Sequence, residues 1–417
     1  MKSMAAVVIF ASFLLCSIVA EMHEGKSHEA NLHVFMESAP RLNSRNDIQR
    51  MDRMASDFVH EVTFVIQQRN IPVLTAFLHD VSDPRSMNYG RHKTKQEVAD
   101  MTSNYEAREA VLSHLILSGA MIVAETLHGE YITANASISV WESMFNTQFF
   151  MFHQSEDNKL TKKVVRAESY SIPSSLQQHV AGVFNTIQMP PQSRGFRTMH
   201  FRDKESVEEV VVAATASMVP FKLRKYYNVG DAQGSALSTQ AVFATVEDYF
   251  SPSDLATFQT DVGLSLQPVA NIIGEHSSDT VCISTPGSCY TGNLDLQYIM
   301  AVSPISPTTF WYTDAEWSTW LTTVANTPNP PLVLSIAYSE EESFVTNDVK
   351  DAFSTEAIKL GAMGVTILAA SGVNGAVSST TRRDGVKGCY YAPIFPASNP
   401  YVTAVGATSV RTVMRLL

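Results

Sequence analysis

Basic residues are in the minority in this sequence: 30 Lys and Arg stand against 41 Asp and Glu, which gives a formal net charge of −11. Nucleic acid requires a basic face, so this balance argues against nucleic acid as a partner. Gly (19) and Pro (18) are too few for a collagen-like or low-complexity chain. The rest is ordinary for a globular protein: 45% of the 417 residues are hydrophobic, and the length predicts two or three domains.

Long apolar runs are lacking everywhere except at the N-terminus. There, Lys2 is followed by an apolar run from Met4 to Ala20 that ends in small residues before Glu21. This layout is typical of a secretory signal peptide. The alternative is a membrane anchor, for which a run of this length is at the short limit. We therefore predict a cleaved signal peptide at residues 1–20, and a mature protein outside the cytosol with no membrane association.

Cysteine is scarce as well, with four residues, of which Cys16 belongs to the predicted signal peptide. An oxidising compartment favours disulfides. Cys282 and Cys289 flank a short loop that contains proline and glycine, so we predict a disulfide between them. Cys389 is then left over, which leaves open a free thiol, an intermolecular bond or a partner that the sequence lacks.

Two further patterns concern modification and ligands. Asn135-Ala136-Ser137 is a glycosylation triplet and marks Asn135 as a candidate for a surface glycan. The histidines and cysteines lack the spacing of a metal site, and no glycine-rich phosphate loop follows a predicted strand. We therefore predict no metal ion or cofactor.

The first half of the chain predicts a small α+β unit. Residues 21–55 show no clean periodicity and predict a mobile lead-in, whereas residues 56–187 predict the order strand, helix, helix, hairpin, helix, strand. The segments are a strand over 60–68, helices over 71–84, 106–119 and 137–149, and a hairpin over 120–137 that turns at Gly129. Residues 188–220 predict a linker, in which Arg194 and Arg197 mark a candidate processing site. An uncut, solvated linker is the alternative.

From residue 221 the pattern changes to alternating strands and helices. The predicted strands are 240–246, 266–273, 308–313, 331–338, 364–371 and 401–407, with helices over 253–262, 292–303, 314–326 and 346–362. Apolar strands without alternation, separated by helices, predict a parallel sheet that is covered on both faces. Functional residues of such sheets lie at the carboxyl ends of the strands.

Six segments resemble, in order, motifs of the sedolisin family, the serine-carboxyl peptidases. They are VSDPRSMNYGRHKTKQEVADM (81–101), VPFKLRKYYNVG (219–230), YFSPSDLATF (249–258), LDLQYIM (294–300), LSIAYSEEESF (334–344) and FPASNPYVTAVGATS (395–409). The resemblance implies an α/β protein: a ferredoxin-like α+β prodomain of the pro-kumamolisin activation type at 56–187, followed by a subtilisin-like parallel-sheet peptidase domain at 221–417. It also implies peptide substrates, and a location that is either extracellular or in a lysosome- or vacuole-like acidic compartment.

In that family a Ser attacks the peptide carbonyl, a Glu accepts its proton, and an Asp one helical turn later orients the Glu. Carboxylates four residues apart share one helix face, and their like charges raise one pKa, so a shared proton persists in acid. Asp295 matches the orienting Asp, but Thr291 stands where the Glu is expected. A protonated Asp donates to the oxyanion in the family, and Val373 stands in its place. The amide of the adjacent Asn374 is the alternative donor.

The nucleophile is not apparent either. The family pattern is Gly-Thr-Ser-small-Ser at the start of a helix, and no such string occurs. The nearest serine, Ser409 in GATSV, falls in a segment that matches an earlier strand of the family. Glu247 follows the first strand, where a carboxylate extends the proton relay of some relatives; a solvent-facing acid is the alternative. The family's calcium loop would lie beyond residue 417, so the resemblance implies no metal here.

These departures predict a sedolisin-type homologue without peptidase activity. The peptidase domain is expected to be incomplete at its C-terminus, because the last helices of the family pattern are not in the sequence. Two alternatives stay open: a fragment of a longer acid peptidase precursor, and a prodomain-type protein that binds and inhibits an active relative. The sequence leaves the oligomeric state open.

Overall fold

The computed structural model describes residues 32–156, 159–191, 218–314, 316–372, 376 and 391–408. The predicted signal peptide, most of the predicted linker, and Val373, Asn374, Cys389 and Ser409 lie outside these ranges. Among the residues described, no helix is both long enough and apolar enough to cross a bilayer.

The N-terminal unit, residues 32–191, combines antiparallel sheets with helices. Its elements are β1 (His33–Ser38), β2 (Ile48–Arg53), β3 (Val59–Ile66), α1 (Ile71–Ser82), α2 (Lys95–Thr102), α3 (Tyr105–Leu117), β4 (Met121–Glu125), β5 (Tyr131–Ser137), α4 (Ile138–Phe145), β6 (Phe150–Glu156), β7 (Lys159–Arg166), β8 (Ser169–Pro173) and β9 (Val180–Phe184). Four strands pair in the order β4-β5-β3-β9, three in the order β2-β6-β7, and β1 pairs with β8.

The core of this unit lies between the four-stranded sheet and helices α3 and α4. Phe64, Trp141 and Phe145 are fully buried there, and the rings of Trp141 and Phe145 stack with centroids 5.6 Å apart. The strand at 60–68, the hairpin at 120–137 and the three helices are therefore confirmed, with shorter bounds. All members of this core belong to the N-terminal unit, so the unit has a hydrophobic core of its own.

The expectation of an unstructured lead-in over 21–55 was wrong for its second half. β1 pairs antiparallel with β8, and β2 pairs antiparallel with β6. Five of the six side chains of β2 are exposed, so this strand leaves no alternation in the sequence. Helix α2 was also missed; it begins with a capping box in which the Thr94 side chain and Glu97 satisfy each other's backbone N–H.

The C-terminal unit, residues 218–408, contains the predicted parallel sheet. Its elements are α5 (Pro220–Tyr226), β10 (Gln240–Ala244), α6 (Pro252–Asp261), β11 (Asn271–Ile273), α7 (Asp279–Ser284), α8 (Tyr290–Val302), β12 (Thr308–Tyr312), α9 (Trp317–Asn326), β13 (Val333–Ile336), β14 (Glu340–Glu341), α10 (Asn347–Ala362), β15 (Thr366–Ala370), β16 (Ile394–Phe395) and β17 (Thr403–Val405). Six strands lie parallel in the order β11-β12-β10-β13-β15-β17, and β14 pairs antiparallel with β16.

The prediction of a parallel α/β sheet is confirmed. All six predicted strands lie in it, although β11 keeps only three of the eight residues expected. β10 and β12 are buried at every position, which is why their sequences show no alternation. Because β10 pairs with both β12 and β13, the carboxyl ends of these three strands lie side by side.

Helix α10 joins the two units, because it packs against both. One hydrophobic cluster combines Val65, Tyr131 and Phe184 of the N-terminal unit with Phe353 and Ala357 of α10. Another combines Leu74 and Val98 with Ile358 and Ala362. Ten of the sixteen residues of α10 are buried, so it is enclosed on more than the single face of a surface helix.

A buried cation crosses this contact. Lys359 of α10 is 6% exposed, and its Nζ donates to Glu130 of the N-terminal unit at 2.9 Å and to Glu356 at 3.0 Å. Burial opposes ionisation of Glu130, yet the charge and the hydrogen bond of Lys359 bring its pKa down to about 2. Burial keeps the pKa of Glu356 raised. The positive charge of Lys359 is therefore neutralised mainly by the carboxylate of Glu130, which belongs to the other unit.

We expect Lys359→Ala to lower the free energy of unfolding by about 3–5 kcal/mol, because it leaves Glu130 buried without its partner. Chemical unfolding monitored by tryptophan fluorescence measures the change. Lys350→Ala, on the same helix, is the matched control and should stay within about 0.5 kcal/mol of the wild type. Equal effects of the two substitutions would contradict the role assigned to Lys359.

Candidate active site

A group of polar side chains lies at the carboxyl ends of the central strands. Asp248 follows β10, Asp295 lies in α8, and Tyr338 follows β13. The hydroxyl of Tyr338 donates to Oδ2 of Asp248 at 2.5 Å, and the backbone N–H groups of Gly292 and Tyr249 lie near the same carboxylate and favour its charged form. This is the edge of a parallel sheet at which active sites are found.

Gly292 allows helix α8 to approach this edge closely. A Cβ at this position would lie 2.4 Å from the carbonyl oxygen of Tyr249 and 3.0 Å from Oδ2 of Asp248. Any larger residue would therefore displace the loop after β10. The glycine therefore allows Asp295 in α8 to lie near enough to Asp248 for the charge of Asp248 to affect the pKa of Asp295.

The two carboxyl groups hold protons unusually well. Burial, and then the negative charge of Asp248, raise the pKa of Asp295 to about 7. Burial also raises the pKa of Asp248 to about 6, although hydrogen bonds from Tyr338 and two backbone groups act against it. Two carboxyl groups that influence each other titrate as a pair, so this pair keeps a bound proton near neutral pH.

The partner of Asp295 therefore differs from the expected one. Thr291 lies in the first turn of α8 and brings no carboxylate to the site. The sequence pattern pointed to Glu247 as the supporting carboxylate and not to its neighbour Asp248. The side chain of Glu247 is 78% exposed, and its Oε2 lies 3.9 Å from Nε2 of His276. Val246 and Glu247 both have positive φ (57° and 56°). The chain therefore turns here, and the side chains after β10 no longer alternate between the two faces of the sheet.

The predicted disulfide between Cys282 and Cys289 is present, with an S–S distance of 2.00 Å and Cα atoms 5.6 Å apart. It connects α7 to the residue before α8, and so ties the start of the helix that carries Gly292 and Asp295. Asn135 lies in β5 and is partly exposed, so its glycosylation stays a prediction. Within the described ranges, no group of three or more His, Cys, Asp or Glu side chains is arranged to hold a metal ion.

Comparisons with known proteins fit this architecture. Residues 46–189 match the family described as Pro-kumamolisin, activation domain. The chain is 30% identical over 383 residues to tripeptidyl-peptidase 1 of Dictyostelium discoideum, covering 83% of this chain and 61% of that protein. It is 27% identical over 373 residues to tripeptidyl-peptidase 1 of Homo sapiens, covering 84% and 61%.

One solved structure is Pseudomonas sedolisin (serine-carboxyl proteinase) complexed with two molecules of pseudo-iodotyrostatin. The match covers 47% of this chain and 55% of the sedolisin chain, at 20% identity and a TM-score of 0.38. The chain is similar to tripeptidyl-peptidase 1 proteins over most of its own length, and it spans about 61% of the length of those relatives.

We expect Asp295→Asn to raise the free energy of unfolding by about 1–2 kcal/mol near pH 8 and to leave it unchanged near pH 4. The folded-state pKa lies above the unfolded one, so the wild-type carboxyl stabilises the fold in acid and loses that contribution as the pH rises towards 7. Asparagine carries no charge at either pH. Urea unfolding at the two pH values measures the difference.

The matched control for this prediction is Asp261→Asn, at the exposed end of α6, which should change stability by less than about 0.5 kcal/mol at both pH values. A loss of stability in Asp295→Asn that is equal at both pH values would contradict the protonated state assigned to Asp295.

Proposed function

We propose that this chain is a sedolisin-type homologue, of the tripeptidyl-peptidase and endopeptidase class, that does not hydrolyse peptides by the serine-carboxyl mechanism. In this proposal residues 56–187 form a ferredoxin-like prodomain, and residues 221–417 form part of a subtilisin-like peptidase domain. A signal peptide at 1–20 directs the chain to the secretory pathway. The match to an activation domain and the parallel sheet that follows it support this architecture.

The observation that carries the proposal is the composition of helix α8. Asp295 is retained and shares its protonation with Asp248, but the residue one turn earlier is Thr291. A threonine hydroxyl cannot accept a proton from a nucleophile in acid, and valine at 373 cannot donate a hydrogen bond to an oxyanion. The chain thus keeps the electrostatic surroundings of a proton-holding site without the groups that use it.

The expected losses in catalytic rate also support an inactive chain. Loss of a general base typically costs about 10²- to 10⁴-fold in rate, and loss of an oxyanion donor about 10²- to 10³-fold. Removal of a complete triad costs roughly 10⁶-fold in a subtilisin. Because the Gly-Thr-Ser motif is also not in the sequence, the combined loss leaves no measurable peptidase by this route.

We expect the purified 417-residue chain to release no tripeptides from an unblocked peptide across the acid pH range, as followed by mass spectrometry. Thr291→Glu should be equally inactive, because it restores a base without a nucleophile. The tripeptidyl-peptidase 1 of Dictyostelium discoideum serves as the positive control, and Asp295→Ala reports contaminating peptidases. Tripeptide release above the level of Asp295→Ala would contradict the proposal.

A second candidate is a fragment of a longer acid peptidase precursor. It is favoured by the share of about 61% that the chain covers in its relatives. In that case a nucleophile and a partner for Cys389 would be encoded downstream. A transcript that continues past codon 417 into a Gly-Thr-Ser motif would establish this candidate, and a stop codon at that point would exclude it.

A third candidate is a binding and inhibitory role of the N-terminal unit towards an active relative. The observation in its favour is the contact with α10, in which apolar side chains surround the pair of Glu130 and Lys359. This surface packs on a domain of the same chain that resembles a peptidase domain, and the unit has a core of its own.

We expect residues 32–191, added at micromolar concentration, to slow the peptidase of the Dictyostelium discoideum relative if this third candidate holds. Glu130→Ala should weaken the inhibition by about tenfold or more, because it removes the charge from the centre of the contact. Glu61→Ala, at an exposed position, is the control. A peptidase rate that does not change would rule the candidate out.

A further inference from the structure

Two arginines of the N-terminal unit meet two glutamates of the C-terminal unit. Arg41 and Arg45 flank a short turn after β1, and Nη1 of Arg41 lies 3.3 Å from Oε1 of Glu341. Nη1 of Arg45 lies 3.9 Å from Oε1 of Glu340. The paired residues are about 300 positions apart in the chain, so the contact exists only because the two units pack together.

The glutamates and Phe344 form a largely buried surface, which we call the wall. Glu340 and Glu341 form β14, which pairs with β16, and their side chains are 8% and 7% exposed. The ring of Phe344 completes the wall, with its centroid 5.6 Å from Cζ of Arg45. Carboxylates beside an aromatic face are the surroundings that recognise a planar guanidinium.

The N-terminal unit holds Arg45 ready for this wall. The side chain is 2% exposed, and Nε and Nη2 donate to the two carboxylate oxygens of Asp47 at 2.7 Å each. Nη2 also donates to the carbonyl oxygen of Pro190 at 2.9 Å. Both partners belong to the arginine's own unit, so the guanidinium is oriented before it reaches Glu340. A side chain fixed in this way loses little entropy on binding.

Glu340 is a buried acceptor that lacks a hydrogen-bond donor. Its Oε1 has no hydrogen-bond partner among the described residues, and the distance of 3.9 Å to Arg45 is that of an ion pair rather than a hydrogen bond. Oε2 of Glu341 is likewise buried without a hydrogen bond in the same part of the structure. Burial raises the pKa of Glu340 to about 7, and Arg45 acts against that rise. The carboxylates of the wall can therefore accept more hydrogen bonds from a guanidinium group than Arg45 donates to them.

We propose that Glu340, Glu341 and Phe344 form a binding site for arginine side chains, which Arg45 and Arg41 of the same chain occupy in this structure. The ligand class is a peptide with two arginines four residues apart. The chain's own turn and a separate peptide share this chemistry. The site does not depend on peptidase activity, since none of its residues belongs to the group around Asp295.

The first test is chemical rescue in the full-length chain. Arg45→Ala should lower the thermal midpoint by about 5 °C, and millimolar N-ethylguanidinium should restore at least about half of that loss. N-ethylammonium, which has charge but no planar fork, should restore far less. Adding Glu340→Gln to Arg45→Ala should abolish the rescue.

Arg50→Ala is the matched control for this test. Arg50 also pairs with a glutamate (Glu168, 2.9 Å) and lies over a phenylalanine ring (Phe150, 4.8 Å), but its side chain is 51% exposed. Its loss should shift the midpoint by less than about 1 °C, with no rescue. Equal rescue by N-ethylguanidinium and N-ethylammonium, or rescue that survives Glu340→Gln, would overturn the proposal. The contact would then be an ordinary structural ion pair.

The second test separates the two sources of arginine. The peptide SAPRLNSRND, which reproduces residues 38–47, should bind the double variant Arg41→Ala/Arg45→Ala at least about tenfold more tightly than a version with citrulline at both arginines. Binding to the wild-type chain as well would show that a separate peptide displaces the turn. Binding to the variant alone would show that the turn holds the site. Equal affinity of the two peptides would overturn the proposal.

A single substitution keeps the proposal testable if the arginine variants do not fold. Glu340→Gln alone should speed hydrogen exchange of the backbone amides in residues 39–47 by about tenfold or more, with β3 unchanged as the internal reference. Exchange at the wild-type rate in both segments would overturn the proposal.

Discussion

The enclosure of α10 between the two units is the constraint on which the rest of the structure depends. A helix that is buried on several sides must satisfy every polar group it carries, and Lys359 does so through Glu356 of its own helix and Glu130 of the other unit. The same helix follows β14 and leads into β15, and its buried side chains share a hydrophobic cluster with Leu334 and Ile336 of β13. The N-terminal unit is thus part of the environment of the C-terminal sheet rather than an appendage to it.

The group around Asp295 shows how a proton-holding site can persist without the chemistry it would serve. Burial sets the protonation of Asp248 and Asp295, and burial is produced by the packing of α8 on the loop after β10, which Gly292 permits. That packing depends on the fold and not on residue 291. A threonine at that position therefore removes the base while the surrounding electrostatics remain.

The parallel sheet could be predicted from the sequence because β10 and β12 are buried on both faces and therefore show no alternation of polar and apolar residues. The disulfide was predictable because a seven-residue separation with proline and glycine brings two thiols together. β2 was not predictable, since its side chains are mostly exposed and its partner is about a hundred residues away. Asp248 was missed for a different reason: two consecutive left-handed residues rotate the chain after β10, and no periodicity in the sequence records that turn.

The central claim is that the two units form one stable body through α10. It is tested most directly by introducing a specific protease site into residues 192–217, cutting the chain there, and measuring the size of the product at neutral pH. We predict that the two pieces elute together, at the size of the uncut chain, and separate only in denaturant. Elution of two independent pieces after the cut, without denaturant, would contradict this account.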